Sequence, residues 1–520
     1  MRSKLNVMTR TNRFVGGVGF GYANLALVTL GGLWLIPFFL NRIGQHNYGL
    51  WLVGTQVIAY LMLLDFGLVA LLPRETAYAT GRAGSVDDAA ELPKLIGETA
   101  RLVLWQIPVV ALATIILWFL MPAGWDALRG PLGWMMLAFV AMFPLRIFQA
   151  VLQGLQDLSF VGGVQICSWL VGTAITVGLV FSGLGLYSMA FGWIAAQVIS
   201  VAICWYRLRS HYPDVLPMHL PTSSWSTAHG HLARGFWVST TQVAQVMLNG
   251  TDIIIIGTLF GPAAVVPYFC TGKLIAFLAN QPHVLMQAAG PGLSEMKVGE
   301  SRQRLFHVCS ALSQAMLLVS GGIVCLVLTV NQGFVGWWVG VEQYGGYTLS
   351  VLLLLNMLLR HWNTTAVYTI FCFGYERRIS LTTLLDGLVT VSGSVILVWL
   401  LGPIGAPLGS ILGVCLVSLP GNLSALARES GVSVVTFMRS LWPWFWRLVI
   451  LVVGAGVVAR AWAPNTFLAL AVTAASTILI YSALMLPVAL QSHLGVYLRP
   501  WMTPILVKLF GAPLAKNVDA

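Results

Sequence analysis

The sequence has few charged residues. Only 9% of its 520 residues are Asp, Glu, Lys or Arg, whereas 58% are hydrophobic and the mean hydropathy is +0.83. A soluble domain usually carries about 25% charged residues, so this composition excludes an ordinary soluble fold. Segments of about ten residues with alternating polarity, which would indicate a transmembrane barrel, are also missing. The composition is that of an all-α polytopic membrane protein.

Long polar loops are absent as well. The longest predicted loops, at about 73–100 and 207–235, leave no room for a nucleotide-hydrolysing domain. The segment around Lys273 is not a Walker A motif, because Pro267 stands where the first glycine is required and Leu274 replaces Ser or Thr. Transport would therefore have to draw on ion gradients, substrate supply or a separate subunit.

Metal and redox motifs are missing too. The seven cysteines have no C-x-x-C spacing and are interpreted as small apolar fillers. His283, His307 and His361 are not at metal-ligand spacing, and the pair His229 and His231 has no cluster of Cys or carboxylates beside it. We expect neither a metal ion nor another cofactor.

Long apolar runs are abundant. A helix needs roughly 20 apolar residues to cross a bilayer, and we count about fourteen such runs. They span about 15–40, 48–72, 101–121, 132–153, 161–182, 186–206, 236–260, 266–290, 307–330, 347–372, 380–401, 406–426, 441–462 and 466–490.

The basic residues predict the orientation of these spans. If both termini are cytoplasmic, 22 of the 28 Lys and Arg residues fall on the inner side, and only Arg42, Arg129 and Arg460 fall outside. This asymmetry is a strong positive-inside signal. The net charge of +11 therefore reflects membrane topology, and we expect no nucleic-acid partner.

The chain also contains a weak internal repeat. At a constant offset of 220 residues, Tyr48 aligns with Tyr268 and Gly185 with Gly405, each at the same point in the succession of spans and loops. Six spans in each half give both halves the same orientation, as in parallel transporter repeats. We predict two pseudo-symmetric six-helix bundles and two additional C-terminal helices. The corresponding divisions are an N-terminal lobe (1–206), a cytoplasmic linker (207–235), a C-terminal lobe (236–430) and a final segment with the last two spans (431–520).

Two spans carry an arginine among polar residues. Arg146 shares a helix face with Gln149 in the fourth span. Arg360 shares one with Asn356 and Asn363 in the tenth span. A charge at the centre of a span costs roughly 2.5–3.5 kcal/mol, so these residues predict either a cationic path for an anionic ligand or arginines that are each held by a buried acid.

Four other charges also lie within the predicted spans. Asp252 and Lys273 are each about ten residues from the same hairpin tip, so they are predicted at one depth. They either pair with each other, or Lys273 leaves the acid and holds substrate. Asp65 and Asp386 serve either as structural partners or as binding sites for a proton or Na⁺ that couples transport to a gradient.

Several segments resemble one transporter family. They are LIPFFLNRIGQHNYGLW at the end of the first span, LDFGLVALLPRETA in the second, QAVLQGLQD at the end of the fourth and TDIIIIGTLFGPAAVVPYFCTGKL at the start of the second half. These patterns resemble the polysaccharide transporter family, which contains the O-antigen and exopolysaccharide flippases of the multidrug/oligosaccharidyl-lipid/polysaccharide exporter superfamily. The resemblance covers about 15–490.

The resemblance implies a protein of the bacterial inner membrane that moves undecaprenyl-diphosphate-linked oligosaccharide to the periplasmic leaflet by alternating access. It implies contacts with membrane lipids and possible cooperation with a polysaccharide polymerase and glycosyltransferases. Members of this family carry cationic residues in the cavity, for which Arg146, Lys273 and Arg360 are the candidates here.

Two other functions are compatible with parts of this pattern. A cation-coupled multidrug exporter of the same superfamily would need an acidic, aromatic cavity, which three cations within the spans disfavour. A membrane-embedded polymerase or glycosyltransferase would need a large outer loop with charged residues. The longest outer loop, about 331–346, has Glu342 as its only charge, so we expect a transporter and not an enzyme.

Overall fold

A computed structural model shows an almost entirely helical chain. It describes residues 10–83, 91–217, 219, 225–280, 282–283, 286, 289, 293 and 301–500. About 90% of the described chain is helical, and no strand occurs in it. The predicted all-α membrane fold is confirmed.

The chain divides into two compact units, 1–266 and 267–520. Among the described residues, ten helices and the start of an eleventh lie in the first unit. They are α1 (Arg10–Ile43), α2 (Gln45–Leu61), α3 (Leu68–Ala83), α4 (Leu92–Phe119), α5 (Asp126–Met142), α6 (Ile147–Gly154), α7 (Leu158–Phe181), α8 (Leu186–His211), α9 (Trp225–Asn249), α10 (Thr251–Leu259) and α11 (Pro262–Ala279).

The second unit contains the rest of α11 and, among the residues that the structure describes, seven further helices with defined bounds. They are α12 (Arg302–Trp338), α13 (Tyr347–Cys372), α14 (Glu376–Leu401), α15 (Gly405–Gly413), α16 (Leu419–Glu429), α17 (Val434–Ala461) and α18 (Phe467–Gln491). The buried core of this unit is formed mainly by α12, against which α13, α17 and α18 pack. The predicted lobes, with their linker at 207–235, stay a prediction.

Eleven segments of the described residues are long and apolar enough to cross a membrane, so the chain is a multi-pass membrane protein. The predicted number of fourteen is not confirmed, although every predicted run overlaps a helix. The runs 380–401 and 406–426 form one continuous apolar segment, Glu376–Glu429. The run 236–260 is interrupted at Gly250. The run 347–372 is helical, but its polar residues lower its hydropathy.

Two spans of the first unit are interrupted by short 3₁₀ turns. The second span changes from α2 to α3 through Met62–Asp65, followed by Phe66 and Gly67 at φ 48° and 72°. The fourth span changes from α5 to α6 through Phe143–Arg146. Each turn ends on one of the charged residues predicted within the spans. Such interruptions free backbone groups inside a helix and often mark functional positions.

The second unit places a tight helical hairpin beside its own charged residues. α14 and α15 pack antiparallel through glycines at every fourth position of α15. A Cβ at Gly405 would lie 2.2 Å from the backbone carbon of Leu397, and one at Gly409 would lie 2.3 Å from the backbone nitrogen of Ser394. This close approach brings Ser410 of α15 against the side of α14 that carries Asp386.

Candidate functional site

Arg146 and Asp65 form a loose ion pair in the first unit. Nη2 of Arg146 lies 3.8 Å from Oδ2 of Asp65. The Asp65 side chain is 3% exposed, whereas that of Arg146 is 29% exposed. The acid is therefore enclosed in the protein, and the guanidinium retains access to space outside the pair.

Backbone contacts hold Asp65 in its position. Its Oδ1 accepts a hydrogen bond of 2.9 Å from the backbone N–H of Gly67, and its carbonyl accepts one of 3.2 Å from the Gln106 side chain. Gly67 adopts φ 72°, which a residue with a side chain rarely adopts. The tight turn thus points the carboxylate towards Arg146 and fixes one of its oxygens.

Arg146 has hydrogen-bonding capacity that the described chain does not use. Its Nη1 is buried and has no hydrogen-bond partner among the described residues. Its guanidinium carbon lies 5.8 Å from the centroid of the Phe143 ring. A buried guanidinium donor without an acceptor costs free energy, and an anionic ligand would remove that cost.

Arg360 is bound much more completely in the second unit. Its Nη1 lies 3.2 Å from Oδ2 of Asp386, and Nε donates to the Ser410 hydroxyl at 3.0 Å. Nη2 donates to the same hydroxyl at 2.7 Å, to the Ser410 carbonyl at 3.2 Å and to the Thr390 hydroxyl at 3.4 Å. All three guanidinium nitrogens therefore have protein acceptors.

Asp386 is equally well satisfied. Its side chain is 1% exposed and accepts from the Thr390 hydroxyl at 3.0 Å and from the Ser418 hydroxyl at 2.6 Å. Ser418 ends a π-helical turn, Val414–Ser418, which widens the helix and directs the hydroxyl towards the acid. A buried ion pair is retained only when such hydrogen bonds complete it.

Each intramembrane arginine thus lies beside its own acid, which is one of the two alternatives left open by the sequence. The two pairs differ in their hydrogen bonds. Every guanidinium nitrogen of Arg360 has an acceptor, whereas Nη1 of Arg146 has none among the described residues. A ligand contact by Arg360 stays a prediction, which the saturated network disfavours. Arg146 retains the properties that a ligand contact requires.

Lys273 and Asp252 lie on α11 and α10. The Lys273 ammonium is 5.1 Å from the centroid of the Phe269 ring, and no ion pair or hydrogen bond of this ammonium is found within the described part of the chain. Oδ1 of Asp252 accepts a hydrogen bond of 2.9 Å from the backbone N–H of Ile253. Their predicted pairing, and a role for either in substrate binding or coupling, stay predictions.

The polar residues predicted to accompany the arginines have separate environments. Gln149 is half-buried on α6. Asn363 on α13 accepts a hydrogen bond of 2.9 Å from the Asn422 side chain on α16, so it connects two helices. The carbonyl oxygen of the Asn356 side chain is buried and has no hydrogen-bond partner among the described residues. The Asn356 oxygen is therefore unsatisfied within the described chain, whereas the Asn363 oxygen is already engaged.

Sequence reasoning missed the hydroxyls around Arg360. Thr390 follows Asp386 at the i+4 spacing that places two side chains on one helix face, so this neighbour was detectable. Ser410 and Ser418 lie on a neighbouring helical segment, and no sequence spacing relates them to Arg360. His361 was noted only for its lack of metal spacing, yet its Nδ1 lies 2.7 Å from the Ser320 hydroxyl.

Among the residues that the structure describes, no group of three or more His, Cys, Asp or Glu side chains could hold a metal ion. An apolar cavity of about 570 Å³ lies between α12, α17 and α18 of the second unit. It does not include the charged residues, so the candidate site rests on the ion pairs themselves.

Comparisons with known proteins show what the chain resembles. A family model described as "Polysaccharide biosynthesis protein" matches residues 109–319. A protein of Shigella flexneri, provisionally named an O-antigen transporter, is 24% identical over 355 residues, which cover 65% of this chain and 78% of that protein. The resemblance to the polysaccharide transporter family is confirmed.

Solved structures show the same fold. An inward-facing multidrug resistance MATE transporter of the MOP superfamily has a TM-score of 0.59 and 14% identity, and covers 78% of this chain and 94% of its own. The lipid II flippase MurJ, in an inward closed conformation, has a TM-score of 0.56 and 12% identity, and covers 87% of this chain and 98% of its own. The chain therefore has the fold of this transporter superfamily. Its relatives are transporters and flippases, not enzymes.

Proposed function

We propose that this protein is a flippase of the bacterial inner membrane, with both termini in the cytoplasm. Its substrate would be an oligosaccharide linked to undecaprenyl diphosphate, which it moves to the periplasmic leaflet by alternating access for O-antigen, capsule or exopolysaccharide synthesis. The Shigella flexneri relative is named for O-antigen transport, and MurJ is named for flipping lipid II.

The observation that carries this proposal is the incomplete pairing of Arg146. Its guanidinium has an unpartnered buried donor and lies 3.8 Å from the Asp65 carboxylate. Arg146 is eight residues before the end of α6 at Gly154, which at 1.5 Å per residue corresponds to a depth of about 12 Å. A cation at this depth can offset the cost of bringing a diphosphate into the membrane.

Arginine suits a diphosphate because its planar guanidinium can hold two phosphate oxygens at once. Arg146 would exchange its loose contact with Asp65 for these oxygens when substrate enters. Gln149, in the same unit, would extend the polar surface around Arg146, and Lys273 and Asn356 are proposed as substrate contacts of the second unit. The membrane potential, negative inside, favours outward movement of an anion by about 2.3 kcal/mol per charge per 100 mV.

Coupling to a proton or Na⁺ through Asp65, Asp252 or Asp386 is a further part of this proposal. Vesicles in which pH and Na⁺ gradients are clamped separately would distinguish the ions. Transport that is indifferent to both gradients would exclude such coupling. A polysaccharide polymerase and glycosyltransferases would be the protein partners, since they consume and supply the lipid-linked oligosaccharide.

The test is flipping of a fluorescent polyprenyl-diphosphate sugar in vesicles that contain the purified full-length protein. Dithionite added outside bleaches only the outer leaflet, so flipping increases the bleached fraction. We expect Arg146→Gln to reduce the initial rate at least tenfold. Arg146→Lys should recover only part of the rate, because the charge is kept and the planar fork is lost.

A matched control is Arg129→Gln. Arg129 is in the same unit and is also paired with an acid, since its Nε lies 3.3 Å from Oδ1 of Asp126, but it lies in the first turns of α5, next to a loop. This variant should flip at the wild-type rate. A wild-type rate in Arg146→Gln would contradict the assignment of Arg146, and absence of flipping by the wild-type protein would contradict the proposed substrate.

A further inference from the structure

The C-terminal pair of helices has basic residues and no acids of its own. No Asp or Glu occurs between Glu429 and Asp519, a stretch that includes all of α17 and α18. Arg439, Arg447 and Arg460 all lie on α17. These cations cannot be neutralised by a carboxylate of their own hairpin, in contrast to Arg146 and Arg360.

Two of these arginines lie beside large aromatic residues of the same helix. Arg439, Trp442 and Trp446 follow one another at the three- and four-residue spacing of a single helix face, and Phe445 and Arg447 flank this face on its two sides. Trp442 is 62% exposed, Phe445 48% and Trp446 43%, and Arg439 is also exposed. We call these five residues the α17 lipid face.

The aromatic rings and the guanidinium of this face contact each other. The guanidinium carbon of Arg447 lies 4.7 Å from the centroid of the Trp446 ring. The rings of Trp442 and Phe445 stack with centroids 6.0 Å apart. The contacts keep Arg447 on the outer surface of the helix, where the surrounding medium is the membrane.

Arg447 has only part of its hydrogen-bonding capacity satisfied. Nη1 donates to the carbonyl of Pro443 at 3.1 Å, one helical turn earlier, so the side chain points towards the N-terminal end of α17. Its other donors have no acceptor among the residues that the structure describes, and neither arginine of the face has an ion pair there. Donors at a lipid-facing surface need an acceptor from lipid or water.

The length of α17 places these arginines near the lipid headgroups. Its 28 residues extend about 42 Å at 1.5 Å per residue, whereas the hydrocarbon core is about 30 Å thick. Counting about 20 residues back from Ala461 reaches Trp442, so Arg439 lies at the headgroup level. The Arg447 side chain can reach the same level because it extends in that direction.

We infer that the α17 lipid face binds the phosphate headgroup of an anionic phospholipid. Arg439 and Arg447 would hold the phosphate from two sides, and the three aromatic residues would contact the glycerol region and the first part of the acyl chains. Anionic rather than zwitterionic lipid is favoured because two cations without a local acid attract net negative charge. In the predicted orientation this is the cytoplasmic leaflet.

The test is retention of added lipid by the purified full-length protein in native mass spectrometry, with phosphatidylglycerol and phosphatidylcholine as probes. Each basic residue near a membrane surface changes the affinity for anionic lipid about fivefold. We therefore expect the double variant Arg439→Gln/Arg447→Gln to bind phosphatidylglycerol about 25-fold more weakly, with no change for phosphatidylcholine. The variant Arg439→Lys/Arg447→Lys keeps the charges and should stay within about fivefold of the wild type.

The matched control is Arg460→Gln, at the other end of the same helix. Its guanidinium carbon lies 4.7 Å from the Tyr347 ring centroid, and its loss should leave phosphatidylglycerol binding unchanged. Unchanged binding in the double glutamine variant would overturn the inference. An equal loss in Arg460→Gln would also overturn it, because the effect would then be one of net charge. If the face binds a polyprenyl diphosphate but not phosphatidylglycerol, and this binding requires Arg439 and Arg447, the face is a substrate site and the inference is wrong.

Discussion

Nη1 of Arg360 lies 3.2 Å from Oδ2 of Asp386, inside a shell of hydroxyl groups from Ser410, Thr390 and Ser418. Arg360 is 21% exposed and Asp386 1% exposed, so the pair belongs mainly to the protein interior. It connects three helical segments of the second unit. Its geometry is that of a structural connection between α13, α14 and α15.

Removal of one partner should therefore destabilise the protein. Arg360→Ala leaves an uncompensated buried carboxylate, and breaking a buried pair in this way costs about 3–5 kcal/mol. The double variant Arg360→Met/Asp386→Leu removes both charges and should recover most of that loss. The measurement is thermal unfolding of the purified protein in detergent. A single variant as stable as the wild type, or a double variant less stable than the single, would contradict the structural role.

The glycine contacts of the α14–α15 hairpin give a second prediction. A Cβ at Gly409 would lie 2.3 Å from the backbone nitrogen of Ser394, whereas a Cβ at Gly178 of α7 would meet nothing within 4 Å. Gly409→Ala should lower stability by about 1–3 kcal/mol through overpacking. Gly178→Ala should be neutral or slightly stabilising, because alanine favours helix. Equal unfolding temperatures for the two variants would contradict this prediction, because α14 and α15 could then move apart without loss of stability.

Composition and periodicity predict most of the fold but not the partners of its charges. Apolar runs identify the helices because a span must satisfy its backbone internally. Arg146 and Arg360 are recognisable as cations within such runs. Their acids lie on different helices, however, and the choice of partner depends on how those helices pack. The tight turn at Gly67 and the π-helical turn before Ser418 decide where the acids point, and no periodic signal encodes either.

A third prediction concerns pH. The rings of His307 and His493 lie with centroids 4.7 Å apart, and the next residue, Leu494, donates its backbone N–H to the Gln314 side chain at 3.1 Å. Burial lowers the pKa of His493 below its usual value, and the neighbouring His307 lowers this pKa further. As pH falls below about 6.5, the unfolded chain takes up a proton before the folded chain does.

The contribution of His493 to stability is therefore complete above about pH 6.5 and is lost as pH falls through the lowered pKa of the folded state. We expect His493→Gln to show a smaller decrease in unfolding temperature between pH 7.5 and pH 5.5 than the wild type. His211→Gln, in an exposed residue at the end of α8, serves as the control and should follow the wild-type curve. If the unfolding temperature of His493→Gln falls between pH 7.5 and pH 5.5 as much as that of the wild type, His493 is not the cause of the pH dependence.

The final prediction separates ligand binding from release at Arg146. Asp65→Asn keeps an oxygen that can accept from the Gly67 backbone at the observed 2.9 Å, but it removes the negative charge that competes with an anionic ligand for the guanidinium. A partly exposed ion pair contributes on the order of 1 kcal/mol, which corresponds to about fivefold in affinity. We therefore expect Asp65→Asn to bind a polyprenyl diphosphate about fivefold more tightly and to flip it more slowly, because release becomes harder.

The affinity is measured by equilibrium binding in detergent and the flipping rate by the dithionite assay. Asp126→Asn, which removes the acid of the Arg129 pair, is the control. Weaker binding in a folded Asp65→Asn protein would show that the acid supports the ligand site and does not compete with it.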